Sequence, residues 1–377
     1  MRALLAQADL ARYAGQFVWL ELSYDDSQNG AFFTKYGAQA TPTFFIIDPR
    51  DERVAAMQTG AMSLAELTGF LDRGRNAVQS KKQTPADAAL VSGDALLAGQ
   101  PLSAANAYRK ALRLAPDAWP QHDLAIASLA QALQASNQYR ECAELAANEA
   151  VHMQRGPIFV RTVVAGMWCL ASADPSAWSN QIFTRLQPLA QEALSSPETV
   201  RDHRDSIYRT LMLISVARSD NADAAKWGGH WLAELDAMKP RDDDERSAID
   251  IARVENIQTY GNPKRILPAL LADERAMPQN YNASLRVAQM ESAAKNYSAA
   301  VAACDRGLAR SPGPDMRSWL LNVKAEALQE KGKPAEARRA SQEGLQAAQA
   351  IPQESMRQRY IGIFRKQLGE TAGRDPH

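Results

Sequence analysis

The sequence predicts a mainly α-helical protein, with a small, incomplete α/β module at the front and a long array of antiparallel helix pairs behind it. Three observations predict this. Alanine, the strongest helix former, recurs in almost every stretch of the chain. From Thr84 onward apolar residues recur at helical spacing with no convincing strand between them. Before about Gly74 the periodicity is mixed.

The front region reads element by element. Residues 3–13 read as a helix, and 17–22 as a strand with Val18, Leu20 and Leu22 on one face. Residues 31–36 form a short helix that Gly37 closes as a left-handed cap. Thr41-Pro42-Thr43 leads into the apolar strand 44–47, and 54–58 returns as the second strand of a hairpin. Ser63, with Glu66 three residues on, is a capping box for a helix whose apolar face carries Leu64, Leu67, Phe70 and Leu71. The polar stretch from Gly74 to Lys82 reads as a linker.

Helix, strand, helix, strand, strand, helix, with Tyr36-Gly37, Thr41-Pro42-Thr43 and Gly60 at these spacings, resembles the C-terminal part of a thioredoxin fold. The resemblance implies a cis Thr41–Pro42 bond in the loop that faces the redox cysteines of that family. It also implies a CxxC pair, and this sequence contains none. Thiol–disulfide exchange needs a thiolate that attacks a disulfide. One expectation is that Met1 is an internal methionine and the motif lies upstream; the other is that the module is a genuine remnant.

Thr84 and Pro85 open the array as N-cap and first helical residue. Helix pairs then recur. Ser92, Gly99, Ala104, Tyr108 and Ala111 mark the first, closing at Pro116. Ala130, Tyr139 and Cys142 mark the second. Ala288, Tyr297, Ala300, Gly307 and Pro312, then Ala325, Gly332, Ala337 and Gly344, mark two more near the end. Small residues at such points let helices approach closely. Between about 160 and 275 the pattern loosens, though residues 201–217 with 222–238 and 247–260 with 263–273 still read as pairs. Trp168, Trp178, Trp227, Trp231 and Trp319 read as packing residues between helices. The pairs resemble tetratricopeptide (TPR) repeats with longer connections. The whole chain, including Asp273 to Asn282 leading into Leu285 to Ala288, resembles bacterial thioredoxin-family proteins that carry a TPR-like C-terminal region.

The expected organisation is a partial thioredoxin-like domain over 1–74, a linker over 75–84, a TPR-like α-solenoid over 85–352, and a C-terminal helix and tail over 353–377. Lys and Arg together number 43, as do Asp and Glu, so the net charge is zero and general nucleic-acid binding is disfavoured. No apolar run is long enough to span a bilayer, and the start lacks a secretion signal, so a cytoplasmic product is expected, or a periplasmic one if an upstream start carries a signal. Cys142, Cys169 and Cys304 sit in separate apolar segments and read as buried, inert thiols. His122, His152, His203, His230 and His377 never pair at helical spacing, so no metal site is expected, and no cofactor. Asp242-Asp243-Asp244-Glu245 reads as a helix start, and Arg201 to Asp205 as a polar helix face.

These readings assign no catalytic residue. They point to a protein–protein scaffold with a remnant thioredoxin-like module; the alternative is a thiol–disulfide oxidoreductase whose CxxC lies upstream. The TPR resemblance implies that Asn282, Leu285, Gln289, Trp319, Asn322 and Glu326 line the face that meets a protein or peptide partner.

Overall fold

The computed structural model describes residues 5, 7–23, 27–38, 41–79, 84–174 and 176–369. The alanine-rich composition plays out as expected: among the described residues, 17 α-helices accompany a single two-stranded sheet. The chain divides into two compact units, Met1–Ala224 and Ala225–His377.

In the first unit, a 3-10 segment, Ala8–Tyr13, precedes α1 (Gly30–Tyr36), and Gly37 caps α1 at φ 66°. The Thr41–Pro42 bond is cis. Strands β1 (Thr43–Ile47) and β2 (Val54–Thr59) pair antiparallel, Thr43 opposite Thr59, with an irregularity at Ile46/Ile47. The helix α2 (Leu64–Gln79) starts at the foreseen capping box, where the Ser63 backbone N–H donates to Glu66 Oε2 at 2.8 Å. Leu67, Phe70 and Leu71 pack with Tyr13, Ile46 and Ala55 in one core. Gly74 permits the closest approach: a Cβ there would lie 2.1 Å from Ile46 Cδ1.

Two expectations for this region are corrected. Residues 17–22 form no strand. Val18 and Leu20 are exposed at 90% and 76%, and among the described residues β1 pairs with β2 alone. Alternation makes a segment fit for a sheet, but a ladder needs a neighbour, and no described strand lies alongside. The polar stretch from Gly74 is helical as far as Gln79. Its last turn is held because Ala77 is buried and two arginines reach its carbonyls: Arg50 donates to Val78 O at 2.7 Å and Arg53 to Ala77 O at 3.4 Å. Both arginines also bind Asp48, and Arg50, donating first, holds that carboxyl well below the usual carboxylate range. Residues 80–83 lie outside the described ones.

Helices α3 (Pro85–Leu97), α4 (Pro101–Leu114), α5 (His122–Ala135), α6 (Tyr139–Glu149), α7 (Pro157–Ala171), α8 (Ala177–Ser195) and α9 (Arg201–Ala217) follow. Thr84 caps α3 by accepting from the Asp87 N–H at 3.1 Å, with Pro85 in the first turn as foreseen. Each of these helices packs on the next, and α5 also touches α7, as α7 touches α9. The helices are not separated from the sheet: α3 packs on β2, whose residues from Val54 to Gln58 are buried on both faces. The close contact of α3 with α4 is made by Gly93 rather than Ser92. Ser92 is exposed, while a Cβ on Gly93 would meet the Tyr108 ring at 2.4 Å.

A disulfide joins Cys142 on α6 to Cys169 on α7, with Cα atoms 6.1 Å apart, so these two are not free thiols. The two helices come together through small residues: a Cβ on Gly166 would meet Ala146 Cβ at 2.4 Å. That contact brings together two cysteines that lie 27 residues apart in sequence.

The helix α10 (Asn221–Ala237) contains the division between the units. The second unit continues with α11 (Asp243–Tyr260), a 3-10 turn at Pro263–Arg265, α12 (Leu267–Ala276), α13 (Tyr281–Ala293), α14 (Tyr297–Ala309), α15 (Pro314–Glu330), α16 (Pro334–Gln349) and α17 (Glu354–Leu368). The acidic run starts α11 as expected: Asp242 accepts from the Glu245 N–H at 2.8 Å. Neighbouring helices pack in sequence from α12 to α17, and α11 touches α13, α13 touches α15 and α15 touches α17. Gly307 lies against Leu320 and Gly344 against Phe364, so the foreseen small residues do mark close helix contacts. Trp231 is fully buried and Trp227 nearly so, as expected, whereas Trp319 is 36% exposed.

Candidate functional site

In the first unit, β2, α2, α3, α7 and α9 contribute to one cluster of polar side chains. Sequence distance hides it, because its members come from five elements. Gln58 ends the buried run of β2 and is 2% exposed. Glu66 and Arg73 lie seven residues apart on one face of α2. Asp94 comes from α3, Arg161 from α7 and His203 from α9.

Asp94 is the most buried carboxyl of the cluster. Tyr108 Oη donates to its Oδ1 at 2.8 Å, and both side chains are buried. Burial pushes the carboxyl up to about 6, against the pull of Arg73, the Tyr108 hydroxyl, Arg161 and the Met57 backbone N–H. The Tyr108 hydroxyl is raised in turn, by burial and then by the Asp94 charge.

Two arginines act on it. Arg161 donates one hydrogen bond, to Gln58 Oε1 at 3.2 Å. Arg73 lies over the Phe70 ring, 5.9 Å from its centroid, and makes no hydrogen bond or ion pair among the described residues. Burial lowers both guanidinium values; the Arg161 charge lowers that of Arg73 further, while Glu66 and Asp94 raise both. His203 is pushed down by burial and by Arg161, against Glu66 and Asp202, which favours its neutral form.

Two polar atoms of the cluster have no partner among the described residues. Gln58 Nε2 is a buried donor, because its amide oxygen already faces Arg161. Glu66 Oε1 is a buried acceptor, because its other oxygen serves the capping box. Leaving such groups unpaired costs about 1–3 kcal/mol each. Nothing in the local sequence signals this cluster. Arg201 to Asp205 reads as a polar helix face, and only the fold turns His203 inward among charges.

The six partner-facing positions predicted from the repeats fall in the second unit. Asn282, Leu285 and Gln289 lie on α13, and Trp319, Asn322 and Glu326 on α15, a helix that packs against it. Leu285 is buried at 3% and serves the core between helices, which removes it from any surface. Asn282 and Gln289 are half-buried. Asn322 Nδ2 donates to Glu326 Oε1 at 3.2 Å, and Asn322 Oδ1 accepts from Gln367 Nε2 at 2.6 Å. With the exposed face of Trp319 they form one stripe at helical spacing.

Two acidic groups elsewhere in this unit are paired, whereas the buried Arg286 donates only to Ser247 and leaves its Nη1 without a partner among the described residues. Glu274 accepts from Ser284 and from Arg306 at 2.8 and 3.0 Å. Arg253 links Asp236, Asp250 and Asp273 at 3.0–3.2 Å. Burial and the neighbouring Asp273 push Asp250 up to about 7. Burial likewise pushes the free Cys304 thiol up to about 12. Two shallow hollows in the first unit hold groups that already satisfy one another. One contains Arg140 and Glu144, 2.9 Å apart; the other contains Ser215 and Asp223, 2.7 Å apart.

Comparison with protein-family models and with curated proteins gives no match. Among the described residues no helix is long and apolar enough to cross a membrane.

Proposed function

We propose that this protein is a binding scaffold: a TPR-like solenoid of helix pairs, joined to a thioredoxin-like module, that holds a protein or peptide partner. One observation supports it above others. In both units successive helices pack pairwise and alternate helices touch, from α5 to α7 to α9 and from α11 through α13 and α15 to α17. A pair that cannot bury its apolar face alone must stack on neighbours, and stacking lays alternate helices side by side as a continuous face. On this reading Asn282, Gln289, Trp319, Asn322 and Glu326 form the partner-facing stripes of α13 and α15. An exposed tryptophan among hydrogen-bonding side chains suits a peptide better than a flat hydrophobic partner.

The Cys142–Cys169 disulfide supports residence in an oxidising compartment, where such bonds persist. Both sulfurs are bonded and fully buried, so neither is an accessible nucleophile. A redox role for the front module would depend on a thiol pair beside Pro42.

The test is selection of binding peptides from a random display library against the purified chain. Selected peptides should bind at about micromolar Kd, and the double variant Trp319→Ala, Glu326→Lys should abolish binding without lowering the melting temperature. Peptides that bind the double variant as well as the parent would remove this face from the account.

A further inference from the structure

In the second unit a polar side-chain network ties α10, α12 and α13 to α11. We propose that Asp250, Asp273 and Arg286 form a proton-operated switch within it. With a proton shared between the two carboxyls, Arg286 of α13 stays on Ser247 of α11. When that proton leaves, Arg286 passes to Asp250 and displaces the partner-facing side of α13. Only that last consequence rests on the scaffold reading.

Distances set the carboxyl pair. Arg253 Nη1 donates to Asp250 Oδ1 at 3.0 Å and to Asp273 Oδ2 at 3.2 Å, so one nitrogen holds the two acids side by side. Both are buried, Asp250 almost completely. Two carboxyls sharing such a site resist ionising together, and one keeps its proton towards neutral pH. Asp273 has a second guanidinium, Arg246, at 2.7 Å. Asp250 is paired with Arg253 alone among the described residues. The proton therefore rests on Asp250, which titrates at about 7.

The charged groups around the pair come from four helices: Asp236 of α10, Asp243, Arg246 and Arg253 of α11, Asp273 of α12 and Arg286 of α13. Glu274, next to Asp273 on α12, is bound instead to Ser284, Arg306 and Arg310.

Arg286 is the side chain left to respond. It is buried, its Nη2 donates to Ser247 Oγ at 2.5 Å, and its Nη1 has no partner among the described residues. A hydroxyl does not balance the charge of a buried guanidinium. Ser247 and Asp250 lie three residues apart on α11, so the present partner of Arg286 and the alternative one are neighbours on one helix face. Once ionised, Asp250 offers a charge-assisted bond, which is stronger than one to a neutral hydroxyl. On α13, Arg286 falls four residues after Asn282 and three before Gln289, in the same stripe. Its exchange between Ser247 and Asp250 therefore moves that stripe.

NMR of the full chain tests the exchange without any partner. The Asp250 carboxyl, assigned by its loss in Asp250→Asn, should titrate near pH 7. The Arg286 Nε signal, assigned by its loss in Arg286→Lys, should shift with the same midpoint and become independent of pH in Asp250→Asn. Ser247→Ala removes the partner that Arg286 holds in the protonated state, so the midpoint should fall by about 0.5–1 pH unit. A histidine-free peptide with blocked ends, selected at pH 6, should lose about tenfold in affinity by pH 8, where the protonated state is about a tenth of the population. Asp250→Asn should keep the pH 6 affinity throughout.

An Arg286 signal that stays still while Asp250 titrates, or a Ser247→Ala midpoint equal to that of the parent, would overturn the switch. Equal peptide affinity at pH 6 and 8, or a loss that persists in Asp250→Asn, would overturn its action on the stripe. A chain that captures no peptide at any pH ends the scaffold reading by itself, while the NMR signals still decide the exchange, so the two fail separately.

Discussion

Tyr108 on α4 donates its hydroxyl to Asp94 on α3 while its ring fills the space that Gly93 leaves open. One side chain thus closes a helix pair and holds a buried carboxyl. Asp94 titrates near 6 when folded, above its ordinary 3.8. The folded state therefore holds the extra proton between about pH 4 and 6, and this group's contribution to stability falls as pH rises through that window. Asp94→Asn keeps an acceptor for Tyr108 and should flatten the decline. Tyr108→Phe strands the carboxylate, should cost about 1–3 kcal/mol at neutral pH, and should extend the decline upward. Urea unfolding at pH 4.5 and 7 distinguishes the two; parallel pH profiles for both variants and parent would contradict this assignment.

Asp250 should act in the same direction in the second unit. Burial and the Asp273 charge lift it to about 7. The folded state is the better proton binder between about pH 4 and 7, so stability is lost as pH climbs across that range. Asp250→Asn should remove this slope from the unfolding of the second unit. A slope that persists unchanged would place the titration elsewhere.

The Cys142–Cys169 bond closes a loop with a sequence separation of 27. Its removal should cost about 3–4 kcal/mol, the chain-entropy value for a loop of this size. Thiol titration of the denatured, unreduced chain should find Cys304 alone, and all three cysteines after reduction. Three thiols before reduction would show that the bond is not formed.

Gly344→Ala should destabilise the second unit by about 1–3 kcal/mol, the usual cost of overpacking. The new Cβ would fall 2.2 Å from the Phe364 ring. Gly99→Ala, with nothing within 4 Å, is the control and should not share that cost. Thermal unfolding compares them directly.

What could be read from the sequence was local. Ser63, Thr84 and Asp242 cap their helices because a cap needs only residues three positions apart. Gly37 closes α1 for the same local reason. The small residues Gly307 and Gly344 announce helix contacts, though at α3 the register was one residue off, at Gly93. What escaped was non-local. Residues 17–22 have a strand's alternation but no neighbouring strand among the described residues. Cys142 and Cys169 pair only because Ala146 and Gly166 let their helices touch. The polar cluster draws Gln58, Glu66, Arg73, Asp94, Arg161 and His203 from five elements, and none of these residues is unusual in its own segment.

The scaffold reading is tested most directly by hydrogen exchange on the full chain, free and saturated with a library-selected peptide. The account predicts slowed exchange concentrated in α13 and α15, centred on Gln289 and on Trp319 to Glu326. Protection that leaves these two helices unchanged while a saturating peptide is bound would contradict it.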